Sequence, residues 1–322
     1  MKKIIIPAIK SIKLPVWILL IILIPVLFTV PLYASRLMIQ IMITLILYVQ
    51  MVMAWNIFSG YTGYLFLGVA AIYGIASYSY AIISPWLPYL VSILLVGIIS
   101  FIIAYLLGTV FLRIRGPYFT IGSYALVLLF ASLILFYEQA VSYRTGRTVA
   151  IIELPNIYTV MLVITIITLL VAFIIKNSKF GYGLSCIKGN EDLASIVGIN
   201  TAFYKTLTFS ISAFFIGMIA AAITPRAGYI DTTTAFASII SFNVLVMGVI
   251  GGVGSLRGGI ISAFILSIFF EFFATSQNPY PFFITLGVLL FLGIFFFPKG
   301  IEGAINRIFS KRLGIRQKGN LE

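Results

Sequence analysis

Few residues in this sequence have types and surroundings suited to chemistry. Glu271 lies within Ile268-Phe269-Phe270-Glu271-Phe272-Phe273. A carboxylate inside an apolar run is costly to bury, so it is expected to face other helices or a wet cavity. Three roles are open to it: a satisfied structural group near an interface, a contact for the ammonium of a zwitterion, or a proton-coupling site. No basic partner stands near it in sequence. The chain has no histidine and one cysteine, Cys186. That excludes a disulfide framework and a His/Cys metal site, and it removes the commonest general base. No G-x-x-x-x-G-K-[ST] run occurs, so the chain is not expected to hydrolyse ATP itself. No catalytic residue, cofactor or metal is expected.

Glycines form a second group. Half of the run from Gly248 to Gly259 is glycine. Gly248/Gly252 and Gly254/Gly258 have the small-xxx-small spacing that lets helices approach closely. Gly251, Gly252 and Gly254 also suit a break in a helix lining a pathway, and Gly60, Gly63 and Gly68 pose the same choice between tight packing and a break. Polar residues inside apolar runs, such as Gln50, Asn56 and Asn243, more often bond between helices than bind cargo.

A third group is the segment Asn190 to Gly198. Asn190 is a good N-cap, and Glu191 and Asp192 follow in the first turn, where acids suit the helix dipole. Leu193, Ala194, Ile196 and Val197 give an apolar face, and Gly198 can end the helix in the left-handed conformation. A helix of about two turns results. Its plain alternative is a surface loop element.

These groups must be held by membrane-spanning helices. Only 9% of the 322 residues are charged, against about 25% in soluble domains, and the mean hydropathy is +1.16. Such a surface is suited to lipid rather than water. Lone strands cannot satisfy their backbone in lipid, so the apolar runs are expected to be helices. The fold class is all-α, a polytopic transmembrane bundle. About ten spans are expected, near 15–33, 37–57, 64–83, 88–111, 118–137, 157–175, 206–224, 239–253, 260–275 and 282–297. The N-terminal run from Pro15 is expected to be the first span rather than a cleaved signal peptide.

The net charge of +13 could suggest nucleic acid, but the bases sit at the ends of apolar runs, a pattern that reports orientation. With both termini cytoplasmic, only Arg36, Arg144, Arg147 and Arg226 of the 21 basic residues fall outside. The expected organisation is a basic cytoplasmic N-terminus (1–14), a permease domain (15–303) with an inner loop (176–205), and a basic cytoplasmic tail (304–322). The outer loop 138–156 carries Glu138, Arg144, Arg147 and Glu153.

The inner loop is similar to the cytoplasmic coupling segment of branched-chain amino-acid ABC importer permeases of the LivM type. It has Ser178, Phe180, Gly181, Ile187, Lys188, Asn190, Glu191, Asp192, Ala194, Gly198, Ile199, Asn200 and Lys205 in the family's order. Leu112-Arg113-Ile114-Arg115-Gly116-Pro117-Tyr118-Phe119 resembles the segment that opens the family's fifth span. Gly60, Gly63 and Gly68 resemble its early Gly-rich stretch. Gly251 to Gly258, and Phe297-Pro298-Lys299-Gly300-Ile301, resemble its late signatures. The chain departs from the pattern at Phe66 and Val69, where the family has Ser and His, and at Gly189, where it has a polar residue.

The resemblance implies one half of an importer core in the cell membrane, made with a second permease subunit. Two cytoplasmic ATPase subunits would drive it through the 190–198 helix, and an extracytoplasmic substrate-binding protein would deliver the cargo. The implied cargo is a branched-chain or related small amino acid. Urea, amides or simple sugars are the alternatives within the superfamily. A stand-alone secondary transporter using Glu271 is the alternative outside it.

Overall fold

A computed structural model describes residues 27–31, 33–143 and 145–274, with further positions at 284, 285, 287, 288, 291 and 300–303. The basic N-terminus, the tail 304–322 and Arg144 lie outside the described residues, as do most of the first and tenth expected spans.

The first long helix, α1 (Arg36–Trp55), starts at Ser35, whose hydroxyl accepts from the Met38 amide at 3.4 Å. It runs on as a π-helical turn, Asn56–Gly60. Then follow α2 (Val69–Ile83), α3 (Tyr89–Phe111) and α4 (Pro117–Tyr137). Gly116 takes φ 65° so that Pro117 can open α4, where its missing N–H leaves no bond unmade. Helix α5 (Leu154–Lys176) leads to two short helices, α6 (Lys179–Gly189) and α7 (Glu191–Ile196). The long α8 (Thr201–Ile223), the single turn α9 (Thr232–Ala235), α10 (Ser238–Gly251) and α11 (Leu256–Ala274) complete the described fold.

Among the described residues, six stretches are long and apolar enough to cross a membrane: Arg36–Gly60, Tyr89–Phe111, Pro117–Val141, Leu154–Lys176, Thr201–Arg226 and Thr232–Gly251. The protein is thus a multi-pass, mostly helical membrane bundle. Helix α8 is its centre: 72% of its most apolar stretch is buried, against 22% for the stretch containing α4. Small residues permit this. A Cβ on Gly217 of α8 would lie 2.1 Å from Ser100 Oγ of α3, and one on Gly97 would lie 2.7 Å from Met218. Helices that associate in lipid rely on such close approach.

Three features differ from the sequence expectations. The span expected at 64–83 is helical only from Val69, because residues 63–68 are neither helix nor strand. Gly63 takes φ 81°. The backbone that leaves the helix is bonded by side chains instead. Trp55 Nε1 donates to Phe66 O at 2.8 Å, and Ser59 Oγ and Ser123 Oγ accept from the amides of Phe66 and Leu67 at 3.1 and 2.9 Å. Buried non-helical backbone is tolerated only with such partners. The inner loop holds two helices rather than one, since α6 is stabilised by the Ser178 cap and by Phe180 stacked on Tyr204 at 4.7 Å. The fold also carries one small antiparallel ladder between β1 (Arg147–Thr148) and β2 (Tyr229–Ile230), pairing Arg147 with Ile230.

Candidate coupling and pathway site

Helix α7 is set by its cap. Asn190 Oδ1 accepts from the amides of Asp192 and Leu193 at 3.0 and 3.1 Å. Past Val197, Gly198 takes φ 87° and the Ile199 amide donates back to Ala194 O at 3.0 Å. Ala194 is buried. Leu193, Ile196 and Val197, by contrast, are 60%, 77% and 73% exposed. Three large apolar side chains therefore stand out on one short helix.

Two ion pairs tie α7 to the bundle. Lys205 Nζ of α8 lies 2.6 Å from Glu191 Oε1 and also donates to Leu112 O at 3.0 Å. The Tyr64 hydroxyl donates to Glu191 Oε2. This cluster is largely buried, with Lys205 3% and Glu191 13% exposed. Burial works against the Glu191 charge, but the hydrogen bonds from Lys205 and Tyr64 outweigh it and hold the carboxyl below the usual glutamate range. The second pair, Arg115 Nη1 to Asp192 Oδ1 at 2.7 Å, is exposed.

The glycines flank α6. Gly60, at the end of the π-helical turn, packs directly on the break between α10 and α11, where a Cβ would lie 2.7 Å from Gly254 Cα. Asn56 holds that contact: its Oδ1 accepts from the Gly254 amide at 3.0 Å and its Nδ2 donates to Ser255 O at 3.4 Å. Gly252 and Gly254 take φ 102° and 91°, conformations that a side chain would strain. Gly251 is packed against Gly258 and Ser262, and Gly300 against Gly251 and Gly252. The ammonium of Lys188, on α6, bridges the two breaks. It donates to Gly60 O at 2.8 Å and to Val253 O at 3.3 Å, while its stem lies 3.2 Å from where a Gly63 Cβ would be. Partial burial, and then the charge of Lys176, lower the Lys188 pKa.

Gly60, Gly63 and Gly254 are thus gathered around one lysine, while Gly251 and Gly252 lie in the adjoining break. Gly68 stands apart, capping α2 against Ser123 O. Glu271 also stands apart, fifteen residues along α11 from Leu256, about 22 Å at the helical rise. It lies within electrostatic range of Tyr48, whose hydroxyl accepts from Asn243 Nδ2 at 3.0 Å. Sequence reasoning missed the Tyr64–Glu191–Lys205 cluster and the bridge made by Lys188. No local pattern marks partners that are 127 and 128 residues apart. The only signal was polar residues beside glycine.

Residues 37–297 match the family described as branched-chain amino acid transport system, permease component. The chain is similar to the high-affinity branched-chain amino acid transport system permease proteins LivM of Salmonella typhimurium (strain LT2) and Escherichia coli (strain K12). It is 23% identical to each over 309 residues, covering 84% of this chain and 71% of the relative. No solved structure matches the chain at a significant level. A match across most of the chain, joined to a helical membrane bundle, places this protein in the family of permease components of branched-chain amino acid transport systems.

Proposed function

We propose that the chain is one permease half of an ABC importer for branched-chain or related small amino acids. It would work with a second permease subunit, two cytoplasmic ATPase subunits and an extracytoplasmic binding protein. Residues 15–303 form the permease domain of about ten spans, with the N-terminus 1–14, the segment 176–205 and the tail 304–322 on the cytoplasmic side. Energy enters at α7. ATP-driven closure of the ATPases moves α7 together with α6, and Lys188 carries that motion to the glycine breaks at Gly60 and Gly254.

The observation that supports this most is the exposed apolar face of α7, held by buried ionic contacts to α8. Leu193, Ile196 and Val197 have the i, i+3, i+4 spacing of a helix seated in a partner's groove. Stimulation of ATP hydrolysis by loaded binding protein, measured in proteoliposomes holding the whole complex, tests it. Leu193→Asp or Ile196→Asp should abolish stimulation with the membrane fold intact. Asn190→Ala should act more mildly, since a cap contributes about 0.5–2 kcal/mol. If both Asp variants are stimulated like the parent, α7 is not the coupling element.

A further inference from the structure

A cavity of about 290 Å³ opens at the end of the bundle opposite α7. The 23 residues of α8 separate the two ends, about 34 Å at the helical rise. Tyr73 and Ser77 of α2, Ile223 at the end of α8, Arg226 in the 3-10 turn that follows it, Ile230 of β2 and Thr234 of α9 line it.

Two of these groups lack the partners their chemistry asks for. Ser77 is 2% exposed, and its Oγ has no hydrogen-bond partner among the described residues. Other buried helical hydroxyls here, such as Ser100 and Thr165, bond to the carbonyl four residues back at 2.8 Å. Arg226 is half-buried. Its one hydrogen bond among the described residues is long, from Nη1 to Thr44 Oγ1 at 3.4 Å, and no carboxylate among those residues lies within ion-pair reach of it. The nearest acid in sequence, Asp231, caps α9, accepting from Thr233 and Thr234. An Arg fork without an anion, beside an unbonded hydroxyl, is suited to a carboxylate held by two or three charge-assisted hydrogen bonds. Ile223 and Ile230 supply an apolar wall next to it. The volume lies at the small end of ligand sites, about 300–1,000 Å³. It suits a single small amino acid rather than a peptide.

We propose that this cavity receives the transported amino acid, with its carboxylate on Arg226 and Ser77 Oγ and its aliphatic side chain against Ile223 and Ile230. The proposal rests on the amino-acid import reading and adds to it the place where the substrate's charge is met.

Arginine modification by phenylglyoxal tests it, read peptide by peptide by mass spectrometry on the complete complex in nanodiscs. Leucine should slow modification of Arg226 at least fivefold, whereas leucinamide, which lacks the carboxylate, should not. Arg113, at the α7 end, serves as the control and should react equally in all samples. Ser77→Ala should raise the leucine concentration for half-protection about tenfold. Equal reactivity of Arg226 with and without leucine, or equal protection by leucinamide, overturns the proposal. Uptake of labelled leucine is measured on the same preparation. Uptake without protection removes the cavity assignment alone, and absence of uptake removes the import reading and the assignment with it.

Discussion

The ammonium of Lys188 lies 2.8 Å from the carbonyl oxygen of Gly60, joining the helix beside α7 to the π-helical turn that follows α1. Its second bond, to Val253 O, reaches the α10–α11 break. One side chain thus spans three segments that are far apart in sequence.

Lys188→Met should therefore separate motion from energy input. Uptake by the complex should fall several-fold. Thermal stability should change by no more than about 1 kcal/mol, because partly solvated hydrogen bonds contribute little net. Lys188→Arg keeps the donors and should restore part of the uptake. Equal uptake by the Met variant and the parent would show that the bridge carries no motion.

Glu191 predicts a pH dependence. Its carboxyl is held below the usual glutamate range. Its contribution to stability is therefore complete above the unfolded-state value and is lost as pH falls through the depressed folded value. In Glu191→Gln the buried Lys205 charge loses its partner, at a cost of about 3 kcal/mol. Melting curves of the two complexes should differ most near neutral pH and converge on acidification. Arg115→Ala, at the exposed pair, should leave melting unchanged within error. Curves for parent and Gln variant that run parallel at every pH contradict this account.

Backbone geometry predicts a contrast between two glycines. At Gly254 a Cβ would meet Gly60 O at 2.7 Å, and φ is 91°. Gly254→Ala should destabilise by about 2 kcal/mol or more. At Gly189 a Cβ would meet nothing within 4 Å, and Gly189→Ala should stay within about 0.5 kcal/mol of the parent. Thermal melting decides both.

Cys186 reports sidedness. It lies exposed on α6. A membrane-impermeant maleimide should label it in inside-out vesicles and not in intact cells. Labelling from outside would reverse the proposed orientation.

Much of the bundle is legible because apolar runs and their punctuation are local. Pro88 opens α3, Gly116-Pro117 opens α4, and Asn200 caps α8 by accepting from the Phe203 amide at 3.1 Å. The start and stop of α7 were equally plain from Asn190 and Gly198. What was hidden depends on distant partners. Residues 64–68 look like the start of a helix until Trp55, Ser59 and Ser123 take their backbone groups. Gly181, Gly183 and Gly189 make α6 look like a loop until Phe180 stacks on Tyr204. The cavity at Arg226 needs Ser77 from a helix almost 150 residues earlier, so no sequence window holds both.

The non-helical segment 63–68 limits how the chain can be cut and rejoined. Its shape is specified by Trp55 and Ser59, which precede it, and by Ser123, which belongs to a different helix. A chimera that receives residues 56–69 from another permease inherits the letters without the partner in α4. The segment is therefore not a portable module, and domain-swap libraries across this junction should be cut so that Ser123 travels with it.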